Sequence, residues 1–176
     1  MKKLAHSLQI FFRLLLKVER RKELVWKDLK KLFSEADWKC GIYENDRIIE
    51  TRFALGENIP GIFHYLIDDE HYHCWVNVLE DYPVEYTTDI FILAAHFNNL
   101  LNKGTVVVDP VDQHVIYQLK TDLLVTLMNN EEVYLRLIRH YETSKKIYSA
   151  FQRLVNENED PPIIIADLLK EKTNEQ

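Results

Sequence analysis

The chain has 176 residues, 47% of them hydrophobic and 28% charged, with a formal net charge of −6. That length suits about one domain with a substantial core, and only 4 glycines and 5 prolines exclude a linker-rich or low-complexity chain. Residues 1–38 carry 10 Lys and Arg against 5 Asp and Glu, a net of +5, so residues 39–176 hold −11 and match a nucleic-acid backbone poorly.

The N-terminus begins Met1-Lys2-Lys3 and then turns apolar. Arg13 and Lys17 interrupt that apolar run, and Val18 leads straight into Glu19-Arg20-Arg21-Lys22 without a small-residue cleavage site. Neither a secretory signal nor a membrane span is expected, and a retained cytoplasmic helix is. Leu4, Leu8, Phe11, Leu15, Val18, Lys22, Val25, Leu29 and Leu32 recur at alternating steps of four and three. This is a heptad-like seam broken only by Lys22, and Phe12, Leu16, Trp26 and Phe33 widen it. A continuous helix over residues 3–34 extends about 45 Å, more than a domain of this size can cover. The segment is therefore expected either to bend near Glu19–Lys22 into two packed helices or to turn its apolar face to another chain. Leu4, Leu8, Phe11, Leu15 and Val18 are the candidate partner-binding residues.

Residues 40–79 predict four strands. Cys40–Tyr43 and Arg47–Ala54 are joined by Glu44-Asn45-Asp46, and Gly56-Glu57-Asn58-Ile59-Pro60 separates the second strand from Ile62–Ile67. Asp68-Asp69-Glu70 turns the chain into Tyr72–Leu79. Connections this short join antiparallel strands. Next, Thr87 or Thr88 suits an N-cap, and Asp89 suits the positive end of a helix dipole. Ile90, Leu93, Ala94, Phe97 and Leu101 then form one apolar face, with Asp89, His96 and Asn99 opposite. Gly104 can take the left-handed conformation that closes a helix. Thr105–Val108 and Val115–Leu119 read as a third hairpin around Asp109-Pro110-Val111-Asp112-Gln113. Asn129 or Asn130 is expected to cap a long helix whose buried side is Val133, Leu137, Tyr141, Tyr148, Phe151 and Val155. After the polar break 156–160, Pro161-Pro162 starts a short last helix around Ile163–Leu169, with Lys170–Gln176 expected to fray.

The expected fold class is thus α+β: an antiparallel sheet of about six strands in hairpins, flanked by an N-terminal helix or helix pair, a central helix and a long C-terminal helix. The chain divides into a basic amphipathic helical segment (1–37), an α+β domain (38–156) and a short C-terminal helix with a tail (157–176).

Reacting groups are sparse. Alternation along a strand puts His71 and His73 on one face, where His64 or Asp69 could complete a metal site, although exposed strand histidines are more often simply solvated. Asp68, Asp69, Glu70, Glu80 and Asp81 fall in predicted turns, where carboxylates commonly serve solubility rather than acid–base chemistry. Ser7, Ser34, Ser144 and Ser149 lie in helical patterns without a nucleophile elbow, and glycines at 41, 56, 61 and 104 make no phosphate loop. Cys40 and Cys74 have no metal-ligand or redox spacing and are expected to be reduced and buried. No catalytic residue, cofactor or metal is expected.

The order of hairpins, helix, hairpin and long helix resembles the YbjN-like family, whose proposed role is bacterial sensory transduction regulation and whose fold is that of type III secretion chaperones. The resemblance is carried by Asn98-Asn99-Leu100-Leu101-Asn102-Lys103-Gly104, then Val106-Val107-Val108-Asp109 and His114-Val115-Ile116-Tyr117. These are similar to the family's helix-terminal Asn-x-x-hydrophobic-x-x-Gly and its succeeding strand pair. The resemblance spans roughly residues 38–155 and implies a small, often self-associating α+β domain with a protein-binding or regulatory role and no established catalytic residues. The expected function is a non-enzymatic, chaperone-like or regulatory adaptor, homodimeric or bound to another protein. The alternative is a small-ligand or metal sensor that uses the His71/His73 strand face.

Overall fold

The computed structural model of the chain describes residues 11–12, 15–68, 71–123 and 130–174. In chain order these form α1 (Val18–Glu35), β1 (Cys40–Tyr43), β2 (Ile48–Gly56), β3 (Ile59–Ile67), β4 (His71–Leu79) and a 3-10 turn (Val84–Tyr86). They continue through α2 (Thr87–Leu100), β5 (Thr105–Asp109), β6 (His114–Asp122), α3 (Asn130–Asn156) and α4 (Pro161–Asn174). The strands make one six-stranded antiparallel sheet in the order β1-β2-β3-β4-β6-β5, the α+β class the hairpin pattern predicts. Four strands meander in sequence; β6 then lies beside β4, and β5 takes the outer edge. Period-two alternation is clear in β4, where Tyr72, Cys74, Val76 and Val78 are buried while His71, His73, Trp75 and Asn77 are half-buried.

Two compact units make up the chain. The first comprises Met1–Arg52, Phe63–Cys74 and Lys120–His140. Here Val25, Trp26, Leu29 and Phe33 bury one stripe of α1 at helical spacing. Past the helix, Asp37 adopts φ 54° and the Trp38 amide bonds the Phe33 carbonyl (3.1 Å), turning the Trp38 ring back onto Phe33 at 5.2 Å. An aromatic chain follows: Trp38 stacks on Tyr134 (5.7 Å), Phe33 meets Tyr65 edge-on (5.1 Å), and Tyr65 stacks on Tyr72 (6.2 Å).

The second unit comprises Phe53–Ile62, Trp75–Leu119 and Tyr141–Gln176. Ile90, Leu93, Ala94 and Phe97 of α2 are buried as expected, and Phe97 meets Phe151 of α3 at 6.1 Å. Tyr141 lies against Phe53 (5.2 Å) and donates to the Ala54 carbonyl (3.0 Å). Arg153 holds the α3–α4 corner, donating to both oxygens of Glu159 (2.6 and 2.8 Å) and to Asp167 of α4 (2.8 Å).

Several local expectations give way. The β2–β3 connection is a two-residue turn, Glu57-Asn58, because Asn58 accepts φ 61°; Ile59 and Pro60 already belong to β3. Thr87 does not cap α2 by accepting from an amide. Tyr86 holds the N-cap position, and the Thr87 hydroxyl instead donates to the Val84 carbonyl (2.7 Å), since a 3-10 turn runs directly into the helix. The buried side of α3 is Val133, Leu137, His140, Ser144, Ile147, Phe151 and Leu154, whereas Tyr141, Tyr148 and Val155 are only half-buried. The last helix is longer than expected and runs on to Asn174. Asn129 lies outside the described residues.

Candidate interaction surfaces

The N-terminal seam divides in two. In its C-terminal part Val25 and Leu29 belong to the core of the first unit, as does Lys22, the residue expected to break it, while Leu32 is only half-buried. Lys22 is buried along its stem while its Nζ reaches Glu19 Oε1 at 2.8 Å, so the cation leaves the stripe by snorkelling. Glu19 also accepts from Arg47 (3.3 Å), and Glu44 accepts from Trp26 Nε1 and Lys30 Nζ (both 2.7 Å). These contacts tie α1 to the β1–β2 turn. The Lys22 hydrogen bond holds the Glu19 carboxyl below its usual pKa, and the Lys30 hydrogen bond does the same for Glu44.

The N-terminal part is different. Phe11 (56%), Phe12 (63%), Leu15 (67%) and Val18 (38%) are exposed. The helical run is interrupted at residues 15–17 rather than at Glu19–Lys22, and α1 begins at Val18. Three of the five candidate partner-binding residues, Phe11, Leu15 and Val18, thus stand outside the described core. Leu4 and Leu8 lie outside the described residues.

His71 and His73 do share a face of β4, both half-buried. The His71 amide donates to Asp68 Oδ1 (2.6 Å), and its Nδ1 lies 3.6 Å from the same oxygen, so Asp68 is tied to the first residue of β4. Burial lowers the pKa of His64, opposed by Glu50. No group of three or more His, Cys, Asp and Glu able to hold a metal occurs among the described residues, and Asp69 is not among them. Glu80 accepts from Asn77 (2.7 Å), Ser144 is fully buried, and burial pushes the Cys74 thiol up to about 12. Cys40 and Cys74 are unpaired, and Cys40 is only half-buried.

In the second unit, the motif at the end of α2 has a structural task. Asn98 Nδ2 donates to the Val106 carbonyl (2.9 Å) and Oδ1 accepts from the Val106 amide (2.7 Å). One side chain thereby satisfies both backbone groups of an edge-strand residue, as a neighbouring strand does. Gly104 has φ 84°, four residues beyond the end of α2 and immediately before β5 rather than as the helix cap. A Cβ there would lie 2.7 Å from the Tyr117 ring and 2.9 Å from the Gln118 carbonyl oxygen. The motif sets the helix-to-strand join. The opposite side of α2 is a surface that sequence reasoning missed: Phe91 (45%) and Ile92 (43%) point outward, and Val84 (66%) precedes them. The signal was available, since apolar residues occur all round this helix.

Among the described residues, no helix is long and apolar enough to cross a membrane. No protein-family model matches the chain, and no curated protein matches it. The crystal structure of YbjN, a proposed transcription regulator from E. coli, is similar over 74% of this chain and 93% of that one, with a TM-score of 0.57 and 8% identity. At that identity the likeness is one of fold, and the chain has a YbjN-like α+β fold.

Proposed function

We propose that this chain is a non-enzymatic, protein-binding regulatory adaptor of the cytoplasm, a distant member of the YbjN-like group whose fold is shared with type III secretion chaperones. The observation that carries this reading is the exposed apolar residues Phe11, Leu15 and Val18, continuing in sequence the stripe that α1 buries. Contiguous exposed apolar side chains on an otherwise packed domain mark interaction sites. Leu4 and Leu8 extend the same seam in sequence and belong to the proposed grip. The fold likeness to a proposed regulator supports the regulatory part, the unpaired cysteines support a reducing compartment, and the −11 of residues 39–176 weighs against nucleic acid as the partner.

Affinity capture from native lysate tests it, comparing the full chain with Phe11→Asp/Leu15→Asp. Loss of at least one abundant, stoichiometric protein from the variant is the expected outcome. Identical capture by both chains would remove the N-terminal residues from the binding surface.

A further inference from the structure

Hydrogen bonds draw three loops of the second unit together. The Tyr82 amide donates to the Gln113 carbonyl (3.3 Å) and its hydroxyl to the Asp109 carbonyl (3.4 Å), while the Tyr86 hydroxyl donates to Asn158 Oδ1 (3.0 Å). Segments 80–89, 109–113 and 156–160 thus meet, carrying four, two and three acidic residues and no Lys or Arg. Arg153, just ahead of the third, is already held by Glu159 and Asp167. The same loops present Val111, at 85% the most exposed large apolar side chain among the described residues, and Val84 at 66%. From Val84 the exposure continues along α2, where Thr88, Phe91, Ile92 and Ala95 recur at helical spacing opposite the buried Ile90, Leu93, Ala94 and Phe97. A helix that is apolar on both sides is ordinarily covered on both.

We propose that this surface is a second docking site, made for an amphipathic helix of another protein that carries Lys and Arg beside its large apolar residues. Charge selects the occupant. An acid-only rim repels nucleic acid and anionic bilayers, and a small cation would leave Val84, Phe91 and Ile92 uncovered. A cationic amphipathic helix satisfies both features at once. Its apolar residues at steps of three and four lie along the row on α2, and its cations face Glu85, Asp89 and Asp112. The site lies wholly in the second unit and stands apart from the N-terminal grip of the first. The inference therefore goes beyond the adaptor reading: the chain has one surface for each of two partners, which an adaptor that joins proteins requires.

Fluorescence anisotropy on the full chain tests this with a synthetic probe, a labelled amphipathic peptide of about five helical turns with leucine on one side and lysine on the other. Two controls accompany it: the same peptide with glutamate for lysine, and a shuffled peptide of identical composition. The native chain should bind the lysine peptide at least ~10-fold more tightly than either control, and that affinity should fall at least ~3-fold as ionic strength rises from about 0.05 to 0.5 M. Val84→Ser/Phe91→Ser and Glu85→Lys/Asp112→Lys, all at exposed positions, should each weaken binding at least ~10-fold. Phe11→Asp/Leu15→Asp should bind the peptide as the native chain does, which separates this test from that of the N-terminal grip. Hydrogen exchange of the native chain with the peptide locates the contact without any variant, as protection at residues 84–95 and 109–113. A native chain that ignores the lysine peptide, or takes the shuffled one equally well, overturns the proposal. So does native affinity in either double variant of the second unit, protection confined to other residues, or loss of binding in Phe11→Asp/Leu15→Asp. In each of those cases the N-terminal grip keeps its own test in lysate capture.

Discussion

Asn98 and Gly104 show how the segment that carries the family resemblance works as structure. Asn98 replaces two main-chain hydrogen bonds at Val106, whose side chain is buried, so Asn98→Ala strips both backbone groups of their partner. We expect a loss of about 1–3 kcal/mol in denaturant unfolding, with the oligomeric state of the folded chain unchanged. Gly104→Ala combines a left-handed backbone with a Cβ against Tyr117 and the Gln118 carbonyl, and about 1–3 kcal/mol is again expected. Wild-type stability in the Gly104 variant would mean that the turn can rearrange, which Tyr117 resists by donating to the Lys103 carbonyl (3.2 Å). The need for glycine here was readable from the sequence, but its position was not. A glycine after a helix suggests a cap, and only the path of β6 shows that the crowding comes from Tyr117.

At the scale of elements, strands were more legible than helices. Alternation in β4 and β6 and turn residues such as Asp109 gave nearly the right strands; Asp109 accepts from the amides of Val111 and Asp112 (2.9 and 3.1 Å), which closes the expected loop and lowers its own pKa. In α3 the buried stripe contains His140 and Ser144, and a search for apolar residues follows Tyr141, Tyr148 and Val155 instead, drifting off the true face. His140 fits because its ring meets the Phe63 ring edge-on at 5.7 Å. Before α1, one continuous pattern in the sequence conceals both the interruption at residues 15–17 and the change from exposed to buried.

The α3–α4 corner has a pH dependence of definite sign. The Arg153 hydrogen bonds lower the pKa of Glu159 and of Asp167, so their contribution is fully present above the ordinary carboxylate range, about 4, and is lost as pH falls through their folded-state values. The melting temperature of Arg153→Met should therefore lie below that of the native chain at pH 7, and the gap should narrow progressively as pH falls below the ordinary carboxylate range. A gap of constant size across that range would mean that Arg153 acts through packing alone.

For the whole molecule, the distribution of charge says more than its total. A cation-only segment of 18 residues and an acid-only stretch of 50 residues lie within a net charge of only −6, and each coincides with apolar side chains that the described core leaves exposed. Composition revealed the asymmetry between the two ends; the outward side of α2 emerged only when Phe91 and Ile92 could be placed relative to Ile90, Leu93 and Phe97. Hydrogen exchange of the chain, alone and with the protein it captures, tests the adaptor reading most directly. Protection should rise at Phe11, Phe12 and residues 15–20 when the captured protein is bound. Exchange there that binding leaves unchanged would contradict an adaptor that grips its partner through the exposed N-terminal residues.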